Sequence, residues 1–133
     1  MSVYSITDKT SNQYNFIWNS GRCKISQRGF VMCDVDYFGV AMGTYFGPIG
    51  SKYILTLESG EQIKVCKVEH KSDKHTDQDN YLAQNGHLIE FVIDPATLWM
   101  RKQPSTNGLV FNGNFNNYWK GSVVRIQGVI KDE

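Results

Sequence analysis

The chain has 133 residues, with 12 glycines, 3 prolines and 13% aromatic residues, which suits one domain with a modest core and many tight turns. A formal net charge of +1 provides no electrostatic footprint for nucleic acid or for an anionic membrane surface. Three cysteines without a CxxC pair argue against a disulfide framework and for synthesis in a reducing compartment.

Residues 1–30 are polar with scattered aromatics (Tyr4, Tyr14, Phe16, Trp18) and read as an N-terminal extension holding short strands, ahead of a β domain over 31–133. The opening MSVYSITDKTSNQYNF lacks the basic start and apolar run of a signal peptide. No stretch approaches the ~20 apolar residues that span a bilayer. Phe30-Val31-Met32-Cys33 predicts a strand, and Val40-Ala41-Met42 another, before a glycine-punctuated segment from Gly43 to Gly50. Tyr53, Leu55 and Leu57 alternate with Ile54 and Thr56; Glu58-Ser59-Gly60-Glu61 turns the chain, and Ile63 and Val65 return in a second strand. A polar loop over 69–87 exceeds the ~12–15 residues usual for a plain connection, which marks it as a candidate for function. Leu88–Ile93 is apolar except at Glu90 and predicts a strand buried on both faces. Asp94-Pro95 supplies an N-cap and first position for a short helix through Met100. In the last strand Val124, Ile126 and Ile130 are expected on one face, with Arg125 and Gln127 on the other. At least six strands and one short helix indicate a small all-β barrel.

Four groups of residues carry candidate chemistry. A carboxyl at Glu90, inside Leu-Ile-Glu-Phe-Val-Ile, is expected to be desolvated, an environment that disfavours the charged form of a carboxyl. Such an acid can donate a proton to a glycosidic oxygen and then accept one from an internal hydroxyl. Asp73, His75 and Asp77 in the polar loop can support it by orienting a sugar hydroxyl or stabilising positive charge at the anomeric carbon. Tyr45 and Phe46, and Tyr118-Trp119 beside Asn112, Asn114, Asn116 and Asn117, can stack on sugar faces while amides bind hydroxyls. His70, His75 and His87 offer nitrogen ligands, but His70-x4-His75 matches no compact zinc pattern, so no metal or other cofactor is expected. Plainer readings stand beside these: a charge-paired Glu90, a solvated loop, aromatics packed at the barrel end and, against a Cys66–His75–Asp nucleophilic site, Cys66 as a small hydrophobe.

The segment Val40-Ala41-Met42-Gly43-Thr44-Tyr45-Phe46-Gly47-Pro48-Ile49-Gly50-Ser51, running into Lys52-Tyr53, resembles the V-A-V-D-P-x-x-I-P-L-G-T stretch of the "three-aspartate" double-psi β-barrels. The resemblance covers about 55 residues, from Val40 to Asp94, on the gapless match at Val40, Ala41, Pro48 and Gly50 and on their turn chemistry. It implies a six-stranded double-psi β-barrel. It also implies the family's activity, cleavage of peptidoglycan glycan strands by lytic transglycosylases that use one carboxyl and close a 1,6-anhydro ring. At the family's first aspartate this chain has Gly43; the second falls on Asp73 or Asp77, and the third on Glu90. Two functions follow as expectations. One is a phage- or lysis-associated enzyme acting on peptidoglycan with Glu90 as acid and base. The other is a non-catalytic structural or wall-binding barrel of a phage tail or secretion assembly, with other virion proteins as partners.

Overall fold

The computed structural model describes residues 1–71, 88–102, 109–111 and 123–130. The protein is mostly β, as expected. Among the described residues eight strands form one mixed sheet, in keeping with the six or more expected from the sequence. They are β1 (Cys23–Ile25), β2 (Val31–Cys33), β3 (Tyr37–Met42), β4 (Lys52–Leu57), β5 (Gln62–His70), β6 (Ile89–Phe91), β7 (Leu109–Phe111) and β8 (Val123–Gly128). The order is β1-β2-β3-β5-β4-β8, with β6 also on β3 and β7 on β6. No pairing closes this sheet into a barrel among the described residues.

The topology turns on β3. Its first half pairs antiparallel with β2, Met32 opposite Phe38 and Cys33 opposite Tyr37. Its second half pairs antiparallel with β6, Val40 opposite Phe91 and Ala41 opposite Glu90. Its other edge runs parallel to β5, with a register shift between Val40 and Ala41. Gly39 stands where β2 and β6 meet: Val92 N–H donates to its carbonyl, and Val31 N–H donates to the Val92 carbonyl. A Cβ at Gly39 would lie 2.9 Å from Val31 Cγ1, so only glycine admits this close approach.

Alternation along the strands builds two cores. Ile63 and Val65 of β5, Val40 and Met42 of β3, and Ile89 and Phe91 of β6 enter the larger one with Phe30, Phe46, Leu55 and Leu57. Cys66 and Val68, Val31 and Cys33, and Val92 face the other side, where Val3, Ile6 and Ile17 cover them. Residues 1–30 therefore supply the lid of the second face, and each of those three side chains contributes about 1.5–3 kcal/mol by leaving water.

Short strands were expected within 1–30; β1 is one, but Asn12–Trp18 forms an α-helix, α1. Ser11 caps it by accepting from Tyr14 N–H at 3.1 Å, and Tyr14, Ile17 and Trp18 have helical spacing. The helix expected from Asp94 begins later, at Leu98 (α2, Leu98–Arg101), with Thr97 at its N-cap. Asp94 instead closes a side-chain turn onto Ala96 N–H and accepts from the Tyr4 hydroxyl. The β4–β5 hairpin forms as expected. In β8 the register shifts opposite Leu57, and this bulge sends Val123 and Ile126 against the core, leaving Val124 exposed.

Replacing Gly39 with Ala is expected to lower stability by about 2–3 kcal/mol, the cost of overpacking at a strand crossing. A Val31→Ala change in the same chain should recover part of that loss, read as coupling in a urea double-mutant cycle.

Candidate functional site

The loop after β3 carries the segment on which the family resemblance rests, and a lysine holds it. Lys67 of β5 is completely buried. Its ammonium donates to the carbonyls of Gly43 at 2.9 Å and Gly47 at 2.7 Å. Its backbone N–H donates to Ser51, and its carbonyl accepts from Gly50 N–H, both at 2.8 Å. Four hydrogen bonds from one residue thus fix both ends of the loop. Gly47 and Gly50 have φ of +81° and +96°, and Pro48 fixes the bend between them. An ammonium so deep costs several kcal/mol in desolvation and persists because carbonyl dipoles meet it.

Phe46 points into the main core, 4% exposed, edge-on to Tyr53, whose hydroxyl donates to the Phe46 carbonyl. Its ring is thus not available to stack on a sugar, a correction to the sequence expectation. Tyr45 beside it is 64% exposed. Asp73, His75, Asp77, Tyr118 and Trp119, together with His87 and the asparagines of 112–117, lie outside the described residues.

Glu90 lies in β6 between Ala41 of β3 and Val110 of β7. Its Oε1 is 3.0 Å from the Met1 ammonium, and its side chain is 28% exposed. The same ammonium donates to the Phe91 carbonyl at 2.5 Å. Burial lowers the pKa of the Met1 amine, with Glu90 opposing that shift. Burial likewise lowers Lys71, again opposed by Glu90. Glu90 is therefore set among cations, the charge-paired arrangement that was the plainer expectation for it. Glu69, one strand position before His70, is half-buried; burial raises its pKa against hydrogen bonds from His70 N–H and the Gln13 amide.

Around the Pro48 loop the surface is concave. A cleft of about 430 Å³ lies between the loop and α1, lined by Asn12, Asn15, Phe16, Asn19, Pro48 and Ile49 among others. A second, of about 490 Å³, continues past Pro48 and Ile49 to Arg22, Ser51, Lys52 and Ile130. Asn12, Asn15, Phe16 and Asn19 recur at i, i+3, i+4 and i+7, so the helix presents them on one face. That spacing is visible in the sequence, and reading 1–30 as strands hid it. The Arg22 guanidinium sits 4.9 Å from the centre of the Phe16 ring and forks onto Asp34 at 3.1 and 2.6 Å. Lys52 reaches the same carboxylate at 2.5 Å, and the two cations hold Asp34 well below the usual carboxylate range.

Among the described residues no three His, Cys, Asp or Glu are arranged to hold a metal ion, and no helix is long and apolar enough to cross a membrane. No family model, curated protein or solved structure matches the chain.

Lys67→Ala is expected to cost about 3 kcal/mol in urea unfolding, because the fully buried lysine stem leaves a gap and the loop loses its hydrogen bonds from the ammonium at Gly43 and Gly47. Lys67→Met restores the packing and should recover part of that loss; equal stability of the Met variant and the parent would show that the ammonium contributes nothing. Because the folded pKa of Asp34 lies below its unfolded one, its stabilisation is complete above pH ~4 and fades as pH falls through the folded value. Asp34→Asn should flatten the acid limb of stability by less than about 1 kcal/mol, since the cluster is solvent-screened.

Proposed function

We propose that this chain is a non-catalytic β module that binds the glycan strands of peptidoglycan, on the plan of a double-psi barrel, and serves a wall-contacting assembly such as a phage tail. The observation that carries this reading is the cleft along the Pro48 loop. It combines amide groups with an aromatic ring: Asn12, the Asn19 side-chain oxygen and Phe16 line it, while Asn15 donates to the Lys9 and Ser11 carbonyls and accepts from Asn19. Past Pro48 it reaches Arg22 and Lys52, which share the single carboxylate of Asp34 and so keep one net positive charge.

Two further features support binding over cleavage. Where the family has its first aspartate, this chain has Gly43, whose backbone carbonyl accepts from the Lys67 ammonium, so the position offers no carboxyl. Glu90, the residue aligned with the third, accepts from the Met1 ammonium, whereas a general acid must offer its proton to a leaving oxygen. The cleaving alternative keeps one observation in its favour: Glu90 retains an acid at the matching position with part of its side chain open to solvent.

Sedimentation with purified Gram-positive cell walls tests both. The chain should co-sediment and release no anhydro-muropeptides, and Phe16→Ala should weaken binding about tenfold, the loss of one aromatic contact. Glu90→Gln should bind as the parent does. Anhydro-muropeptide release that disappears in Glu90→Gln would establish the lytic reading instead, and absence of co-sedimentation would remove both.

A further inference from the structure

On the second face of the sheet, three cysteines that are scattered in the sequence come together. Cys23 and Cys33 are directly opposite each other in the β1–β2 pair. The flanking bonds, Ser26 N–H to Phe30 O and Asp34 N–H to Arg22 O, make Cys23–Cys33 a non-hydrogen-bonded position, where facing side chains approach most closely. Their Sγ atoms are 3.1 Å apart. Cys33 and Cys66 are fully buried, and both pack with Val31, Val68 and Val92. Cys23 is only partly buried and lines, with Ile17, Trp18 and Lys24, a surface dimple of about 30 Å³, so it is the one of the three nearest to solvent.

The spacing of the sulfurs decides what the cluster can do. Two thiolates sharing a tetrahedral zinc at Zn–S ≈ 2.3 Å stand roughly 3.8 Å apart, wider than this pair. A disulfide needs about 2.05 Å, which the two sulfurs reach by closing about 1 Å. We infer that Cys23 and Cys33 form a reversible thiol–disulfide site, oxidised by exchange with a low-molecular-weight disulfide such as oxidised glutathione.

The accessible Cys23 thiolate attacks one sulfur of glutathione disulfide; the S–S bond breaks and glutathione leaves as thiolate, taking up a proton from water. Cys33 then attacks Cys23 Sγ in the mixed disulfide while Cys66, as its thiolate, takes the Cys33 proton; the Cys23–glutathione S–S bond breaks, the second glutathione leaves as thiolate and takes up a proton from water, and Cys66 returns its proton to solvent. One glutathione disulfide is reduced to two glutathiones as two cysteine thiols become one disulfide. The third cysteine is suited to its part: the Cys33 S–H, hydrogen-bonded to it, holds the Cys66 thiol below its ordinary range, with Arg22 and Lys52 adding and burial opposing. Hydrogen bonds to Cys23 and then Cys66 push Cys33 up, so it is the proton donor of the three. The bond would staple the edge strand β1 onto β2 at the rim of the second core.

Reduced, folded protein is incubated with oxidised glutathione, and its intact mass, free thiols and cysteine-containing peptides are then read. The expected product has lost the mass of two hydrogens, keeps one of its three thiols and yields a Cys23–Cys33 linked peptide. Cys66→Ala should give the same linkage more slowly, whereas Cys33→Ala should stop at a glutathione adduct on Cys23. An unchanged mass, a stable adduct on the parent protein, or a Cys33–Cys66 linkage would each overturn the assignment. The parent and Cys66→Ala readings decide the matter even if Cys33→Ala fails to fold.

Discussion

A lysine ammonium placed inside a hydrophobic core is a costly arrangement, and here it organises the surface around it. Lys67 belongs by alternation to the inward face of β5 with Ile63 and Val65. Its stem therefore runs through the core and its head emerges under the Gly43–Ser51 loop. The loop closes around that head because the ammonium needs acceptors, and the carbonyls of buried Gly43 and of Gly47 supply them. Once those ends are held, Pro48 and Ile49 have one place to stand, and they form the shared wall of both clefts. The two positive-φ glycines permit the bend, but the lysine fixes it.

The same strand pattern places the N-terminal segment. With the larger core on one side of β5 and Cys66 and Val68 on the other, the second face needs a cover, and Val3, Ile6 and Ile17 provide it. Burying Ile17 sets the rotation of α1, which turns Asn12, Asn15, Phe16 and Asn19 toward Pro48. A core requirement thereby orients the amide-rich helical face toward the loop. Phe16 is held in turn by Arg22, itself fixed by the fork onto Asp34. Asp34 and its neighbour Val35 have φ of +46° and +74°, backbone conformations disfavoured for residues other than glycine. The cluster of Arg22, Asp34 and Lys52 is what that turn secures.

Much of the β framework was legible in the sequence for identifiable reasons. The 53–65 hairpin announces itself by strict alternation around Ser59-Gly60, and Leu88–Ile93 by an apolar run, because both patterns come directly from side-chain period. What was not legible depended on contacts between distant segments. Nothing local to Lys67 distinguishes it from a solvated strand lysine such as Lys64; its burial follows from the β3–β5 pairing and the loop above it. The charge partner of Glu90 is the chain's own first residue, brought there by the Ser2–Ile93 bridge and the Met1 contacts. Phe46 and Tyr45 are neighbours in a glycine-rich loop, and only the fold says which one turns inward. The cysteines have no motif spacing, yet register and strand pairing gather them. The bulge opposite Leu57 shifted β8 by one residue, enough to exchange Val124 for Val123 at the core.

In the proposed function a glycan docks at the Pro48 cleft and not beside Glu90. Backbone-amide NMR during titration with soluble, uncharged peptidoglycan glycan fragments locates that surface directly. Shifts concentrated on residues 12–20 and on Ile49–Lys52, with those of Ile89–Phe91 unmoved, are the predicted result. Shifts centred on Glu90 and Lys71 with α1 silent, or no shifts at all, would contradict it.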